Sequence, residues 1–481
     1  MASFIYRSLS RSTFHCCGSR HSAVRTFALH RALCTDTDTH GAKPGPSIEE
    51  PTLTIDRSGL YQQGVHSHTK PGREFTSAMS KHLDAIIRFR GGPISVAEYM
   101  EEVLTNPTAG FYMNRDVFGV EGDFVTSPEI SQMFGELIGV WSTCLWHQMG
   151  QPSQVALIEL GPGRGTLMAD LIRGTSKFDE FSRAVSLHLV ECSPALRKLQ
   201  AEKLQCVPCD KNPEQKRSKI SGSAVNWYMD LSEVPRGDRL PLIIIAHEFY
   251  DALPVHQFQK TPRGWCEKLV DIGESPGEPF RFVLSPRPTT ASRRYLTKRL
   301  SWATEEEKAN LDHVEVCPLS FKYTSTIAKR ISEDGGGALI IDYGDDGIIK
   351  DSLQAIRKHK FTPVLEDPGL ADLSAHVDFR AIRHAATEAA AGRVAVYGPI
   401  TQSKFLGMLG INFRLEALLN NATEEQAEAL QLGYWRLVGE GPAPWVEDEK
   451  EELSQTGMGT QYKVLAVVDS SLSTPIGFEK S

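Results

Sequence analysis

Six residues, Val155-Ala-Leu-Ile-Glu-Leu160, run straight into Gly161-Pro-Gly163-Arg-Gly165 and then into a helical pattern from Thr166. Glycine permits unusual backbone angles and, lacking Cβ, lets a ligand approach the main chain closely. An apolar strand that turns through three alternate glycines into a helix therefore predicts a ligand at the strand's carboxyl end. Leu187–Val190 follows, with a helix after Ser193-Pro194, and further strands are expected at Val225–Met229, Leu242–Ala246, Ala338–Ile341, Val394–Val396 and Tyr462–Val468. Short apolar runs alternating with helical patterns are the mark of βαβ units. The expected fold is α/β, Rossmann-like, with an open, doubly wound, mostly parallel sheet. Trp265–Asp271 and Arg281–Leu284, separated by Gly- and Pro-containing sequence, suit an antiparallel hairpin inserted between the fourth and fifth sheet strands.

Ahead of the sheet, residues 79–150 read as a helical extension. Ser95-Val-Ala-Glu98 is a capping box opening a helix over Val96–Leu104. Ser127-Pro128-Glu129 supplies a cap, a first-turn proline and a first-turn acid, and Ile130, Met133, Phe134, Leu137, Ile138 and Trp141 follow at helical spacing as a core stripe.

A nicotinamide or flavin fingerprint needs its third glycine at position 166, which is Thr. The spacing present, Gly-x-Gly-x-Gly with Glu159 two residues ahead of it, resembles motif I of class I S-adenosylmethionine-dependent methyltransferases. Gly161, Gly163, Gly165 and Glu159 are the cofactor residues this resemblance implies. Glu191 ends the second strand, 26 residues beyond Gly165. A carboxylate there can accept both hydroxyl hydrogens of a ribose, or else satisfy the helix start at Ser193-Pro194. Asp230, just past the third strand, is placed for adenine contact or is an exposed loop acid. Thr126 and Ser127 lead into a helix whose free amides can face the cofactor's carboxylate; a plain cap explains Ser127 equally.

The fourth strand runs into His247-Glu248-Phe249-Tyr250-Asp251. Glu248 and Asp251 therefore lie where a methyl acceptor belongs. Paired acids can bind an arginine guanidinium through its planar fork and align one nitrogen with the sulfonium methyl, with Phe249 and Tyr250 stacking on its face. Acids after a strand also cap helices, which is the competing reading. Asp342-Tyr343-Gly344 and the acidic loop Asp372 to Asp378 with His376 are further candidates for the substrate side.

Residues 1–35 hold Arg7, Arg11, Arg20, Arg25 and Arg31, no Lys and no acid, the composition of a mitochondrial transit peptide addressed to the matrix. Residues 36–78 have too few spaced apolar positions to bury a face and read as a disordered linker. Loss of the five leader arginines takes the formal charge from −8 to −13, a poor match to nucleic-acid phosphates. No apolar run approaches the ~20 residues of a membrane helix. Cys206-Val-Pro-Cys209 has no second pair to complete a tetrahedral metal site, so no metal is expected.

These features meet in one family. Pro93-Ile-Ser-Val-Ala-Glu-Tyr-Met, Gly110-Phe-Tyr-Met, Gly122-Asp-Phe-Val-Thr-Ser-Pro-Glu-Ile-Ser-Gln-Met-Phe-Gly-Glu136, Glu159 to Thr166, Glu248-Phe-Tyr-Asp-Ala-Leu-Pro-Val255, Asp342-Tyr-Gly344 and Ala371-Asp-Leu to Val377-Asp-Phe379 resemble the MidA-like methyltransferases. The likeness spans roughly residues 80–415 and is strongest to the mitochondrial complex I assembly-factor branch that methylates protein arginine. It implies a methyltransferase domain over 151–470 with an insertion around 260–315 and a tail at 471–481. It also implies S-adenosylmethionine as cofactor, symmetric dimethylarginine as product, and a matrix-facing core iron–sulfur-protein subunit of complex I as partner. Gly161, Gly163 and Gly165 would bind the cofactor and Glu248 would serve the substrate arginine. The rival readings are a non-enzymatic assembly chaperone that keeps the fold and, against Thr166, a nicotinamide oxidoreductase.

Overall fold

The main sheet is built from strands whose alternate side chains face two separate apolar layers. We number seven of its strands β1 (Val155–Leu160), β2 (Val185–Val190), β3 (Ala224–Tyr228), β4 (Leu242–His247), β5 (Gly336–Asp345), β6 (Val394–Thr401) and β7 (Tyr462–Asp469). On β4, Ile243 and Ile245 enter one core while Leu242, Ile244 and Ala246 enter the other, and β1 and β5 divide in the same way. Burial on both faces is what a doubly wound sheet requires of its central strands. Strand order is β6-β7-β5-β4-β1-β2-β3, extended by the edge strands Asn212–Ser218 and Cys206–Cys209. β1 pairs in parallel with β2 and β4, and β4 with β5, whereas β7 runs antiparallel to both β5 and β6. The computed structural model describes residues 77–113, 126–209, 212–237, 240–275, 278–441 and 457–479. The leader, nearly all of the linker, and Gly122–Val125 lie outside the described residues.

Local chemistry sets the helices around this sheet. Ser95 and Glu98 form the expected capping box of Val96–Thr105, and Ser193 caps Pro194–Lys203. The stretch from Ser127 is two helices: Ser127–Ile130 follows Thr126 as its N-cap, and Ser131 caps a separate helix, Gln132–Gln148. Its stripe of Met133, Phe134, Leu137, Ile138 and Trp141 packs on the main sheet.

The hairpin Gly264–Ile272 with Phe280–Leu284 forms as expected but belongs to a larger five-stranded sheet that also takes in Ile94–Ser95, His256–Thr261 and His313–Val316. Its core joins Met79 and Leu83 of the helix Ala78–Arg90, and Tyr99 and Met100 of Val96–Thr105, to Val270, Phe280 and Leu373. The N-terminal helices, the insertion and the Asp372–Ser374 strand are thus held together. Among the described residues no helix is long and apolar enough to cross a membrane.

Candidate active site

At the end of β1 the chain turns through Gly161 (φ 60°), Gly163 (φ 51°) and Gly165 (φ 83°), left-handed angles that L side chains avoid. A Cβ on Gly161 would sit 3.0 Å from the Phe249 ring. The loop forms one wall of a cavity of about 1130 Å³. The cavity opens at the carboxyl ends of the central strands, where the connections diverge to either side of β1.

Glu159 and Glu191 line the same wall. Glu159 is buried with Oε2 unpartnered, and burial, then the charge of Glu191, pushes its pKa up to about 8. Glu191 accepts from the Ser193 amide at 2.8 Å, so it satisfies the helix start while still facing the cavity. Gln200, fully buried, ties this wall together: its Nε2 donates to Gly163 O at 2.7 Å and to Glu191 Oε2 at 3.1 Å, and its Oε1 accepts from Trp227 Nε1 at 2.8 Å. Thr166 donates to Glu129 at 2.5 Å, anchoring the glycine loop to the Ser127–Ile130 helix. The loop, the open carboxylate and the left-handed glycines fit a nucleoside with an amino-acid tail, as motif I implies.

On the strand next to β1, Glu248 follows β4 and lines the same cavity with φ 47°, a left-handed angle that a non-glycine residue holds only when its surroundings enforce it. Asp342, fully buried at the end of β5, does so. Its Oδ2 accepts the amides of Phe249, Tyr250 and Asp251 at 3.2, 3.0 and 3.4 Å. Glu248 accepts from the Ser127 amide and the Tyr462 hydroxyl, while its Oε1 is left without a hydrogen bond. Asp251 accepts from the Tyr343 hydroxyl at 2.6 Å on Oδ2 and keeps Oδ1 bare. Burial and the neighbouring Asp251 charge raise Glu248 to about 8, and burial raises Asp251 to about 6. His247 Nε2 lies 3.3 Å from Glu248 Oε1, but burial drives the imidazole down to about 3, so it is neutral and offers no compensating charge. Asp372 extends the acidic wall, hydrogen-bonded by the Tyr112 hydroxyl at 2.6 Å.

The cavity therefore gathers Glu159, Gly161, Gly163, Glu191, Thr126, Glu248 and Asp251, with Gly165 shaping the loop from behind. Three expected contacts fall elsewhere. Asp230 is not among the cavity walls; it caps the Leu231–Glu233 turn through Ser232 and accepts from Tyr323 at 2.9 Å. Ser127 is buried, its amide engaged by Glu248 and its hydroxyl facing Met458 Sδ at 3.8 Å. Tyr250 is in the core, its hydroxyl 3.1 Å from Thr324, so of the two aromatics only Phe249 reaches the cavity. Asp342 acts from beneath the site, while Tyr343, Asp372 and His376 line it. Tyr112 enters the sequence reading only inside the stretch Gly110-Phe-Tyr-Met, and Gln200, Arg436 and Tyr462 carry no local motif, being delivered from separate elements.

The family described as "Putative S-adenosyl-L-methionine-dependent methyltransferase" matches residues 137–400. "Protein arginine methyltransferase NDUFAF7, mitochondrial" of Mus musculus is 45% identical over 363 residues, 74% of this chain and 79% of the relative. The Drosophila melanogaster homologue of the same name is 40% identical over 90% of this chain and 92% of its own. A Burkholderia thailandensis crystal structure bound to S-adenosyl-homocysteine superposes with a TM-score of 0.64 at 24% identity, covering 83% of this chain and 94% of that one; it shares the fold. Both relatives carry the mitochondrial designation that the basic leader implies. The glycine-lined cavity and these matches lead to one conclusion: the chain belongs to the MidA-like family of S-adenosyl-L-methionine-dependent methyltransferases.

Proposed function

We propose that the protein methylates arginine in a protein substrate, forming symmetric dimethylarginine on a core iron–sulfur-protein subunit of complex I in the mitochondrial matrix. The observation that carries the arginine reading is the pair Glu248, half-buried, and Asp251, buried, each with one desolvated oxygen that has no hydrogen-bond partner. Among the described residues neither forms an ion pair with a Lys or Arg. Uncompensated buried acids are costly and gather at functional sites, and a guanidinium supplies both the missing charge and donors in the matching planar fork. The relatives' name supports the same acceptor. The symmetric pattern and the complex I subunit rest on the family resemblance.

Bound S-adenosylmethionine supplies a methyl group already activated on a positively charged sulfur. Gly161, Gly163, Glu159 and Glu191 would hold it. The chain's remaining task is alignment and proton management. Glu248 Oε1 and Asp251 Oδ1 accept guanidinium N–H groups, while Tyr462 and Tyr343 fix the opposite oxygens. Fixing two reactants in line can remove up to ~7–11 kcal/mol of barrier. The proton lost by the attacked nitrogen has an acceptor in Glu248, whose pKa is near 8.

The expected pH profile has a definite sign. Guanidinium binding needs ionised acids, and both are raised, Asp251 to about 6 and Glu248 to about 8. kcat/KM for an arginine peptide should therefore rise between about pH 6 and 8 and level off above, since it reports groups of the free enzyme. A flat profile across this range contradicts the assignment. On the cofactor side, Gln200→Leu leaves the Gly163 carbonyl and Trp227 Nε1 unpartnered, each costing ~1–3 kcal/mol. Calorimetric titration should show S-adenosylhomocysteine affinity reduced about tenfold with a lower Tm; unchanged affinity would remove Gln200 from the site.

A further inference from the structure

The cavity that presents so many carboxylates also carries a guanidinium with no carboxylate of its own. Arg436, near the end of the helix Glu424–Val438, lines the cavity beside Met458 and Tyr462. Its Nε is buried without a hydrogen-bond partner, and no Asp or Glu among the described residues lies within ion-pair distance. Desolvation lowers its pKa, with only Tyr462 acting in the other direction. Lys463, the next residue along β7, also lines the cavity, and its ammonium donates to the Thr460 carbonyl rather than to an acid. Arg164, also at the walls, approaches Glu129 at 3.8 Å.

Arg436 is half-buried, and its Nε is desolvated without a partner; leaving such a donor unpaired is unfavourable, and a bound anion would satisfy it. The missing complement is a planar anion with two oxygens, because the guanidinium fork matches a carboxylate bidentately. A carboxylate entering this cavity would otherwise meet Glu129, Glu159, Glu191, Glu248, Asp251 and Asp372 and be repelled.

We propose that Arg436, assisted by Lys463, is a carboxylate-binding subsite of the cavity. The inference rests on the methyltransferase reading. The ligand's carboxylate has two sources, the amino-acid end of the cofactor or an acidic residue beside the target arginine in the substrate.

The test uses the full chain and its Arg436→Gln and Arg436→Lys variants, titrated calorimetrically with S-adenosylhomocysteine and with 5′-methylthioadenosine, which keeps the nucleoside and sulfur but lacks the amino-acid end. Two arginine peptides differing only by a neighbouring Glu or Gln form the second arm. If the cofactor is the source, Arg436→Gln weakens S-adenosylhomocysteine about 10–100-fold, leaves methylthioadenosine unchanged, and Arg436→Lys recovers part of the loss. If the substrate is the source, S-adenosylhomocysteine is unaffected and the variant no longer distinguishes the Glu peptide from the Gln peptide. In either case Tm of Arg436→Gln stays close to wild type, because among the described residues Arg436 makes no side-chain hydrogen bond or ion pair for the change to break. Loss of neither preference, or a lowered Tm with all ligands weakened alike, overturns the proposal. Wild type that binds neither nucleoside overturns the methyltransferase reading itself, a distinct result.

Discussion

Glu248→Gln should lower turnover on an arginine substrate by about 10²–10⁴-fold, the range for loss of a positioned acid–base group, while S-adenosylhomocysteine affinity changes by less than about threefold. The reason is geometric. In the proposed assignment Glu248 serves the acceptor, hydrogen-bonded by the Ser127 amide and the Tyr462 hydroxyl with Oε1 bare, whereas the glycine loop, Glu159 and Glu191 would hold the cofactor. The same change should raise Tm. Glu248 moves from an ordinary value of 4.5 to about 8 on folding. An acid raised in this way contributes stability below pH 4.5 that is lost as pH rises towards 8, on the order of a few kcal/mol at the upper end. Gln keeps the shape without the ionisation, so its Tm gain should appear at pH 8 and vanish near pH 4.5. Parallel losses of turnover and cofactor affinity, or a lower Tm at pH 8, would contradict this role.

Gly161→Val should weaken S-adenosylhomocysteine at least about 100-fold. The position has φ 60° and its Cβ would stand 3.0 Å from Phe249. A β-branched residue is a strong outlier at that angle, and its methyls would occupy the surface that the loop presents to the nucleoside. Tm should fall by several degrees as the strain is relieved by loop displacement. Retained affinity at the wild-type level would show that the glycine loop does not cradle the cofactor. Together the two variants separate the walls: one removes chemistry and spares binding, the other removes binding.

How far the sequence reached depended on what each element buries. β1, β2, β4 and β5 are buried on both faces, so their apolar runs stood out without interruption. In the inserted sheet, His256–Thr261 and His313–Val316 carry no such run because polar groups sit inside it. His256 meets Glu267 at 2.6 Å, and Gln257 donates to Glu315 at 2.7 Å. A paired polar network satisfies burial without apolar periodicity, and the strands were silent in the sequence. The hairpin of Gln354–Arg357 with Lys360–Thr362 was silent for another reason. Its two-residue turn places Lys358 and His359 at φ 50° and 60°, where Asn-Gly would have announced it. At the site, the glycine loop and the Glu248–Asp251 turn are contiguous and were legible. Tyr343 lies in the Asp342-Tyr343-Gly344 stretch that was also legible, whereas Tyr462 comes to Glu248 only through the sheet order β7-β5-β4 and Arg436 reaches the cavity from a late helix.

Asp342 shows what spacing alone could not convey. Its place just past the apolar run Ala338–Ile341 marked it as a candidate for the substrate side, yet it is fully buried within β5 and accepts three successive amides of the turn that carries both acids. It holds the left-handed Glu248 in place and is a positioning residue.

The most direct test of the central claim is mass spectrometry of complex I core subunits incubated with the protein and isotopically labelled S-adenosylmethionine, with Glu248→Gln in parallel. The account predicts labelled dimethylarginine on an iron–sulfur-protein subunit with wild type and none above background with the variant. Equal label from both proteins, or no label from a wild type shown to bind S-adenosylhomocysteine, would contradict it and favour an assembly chaperone that retains the fold.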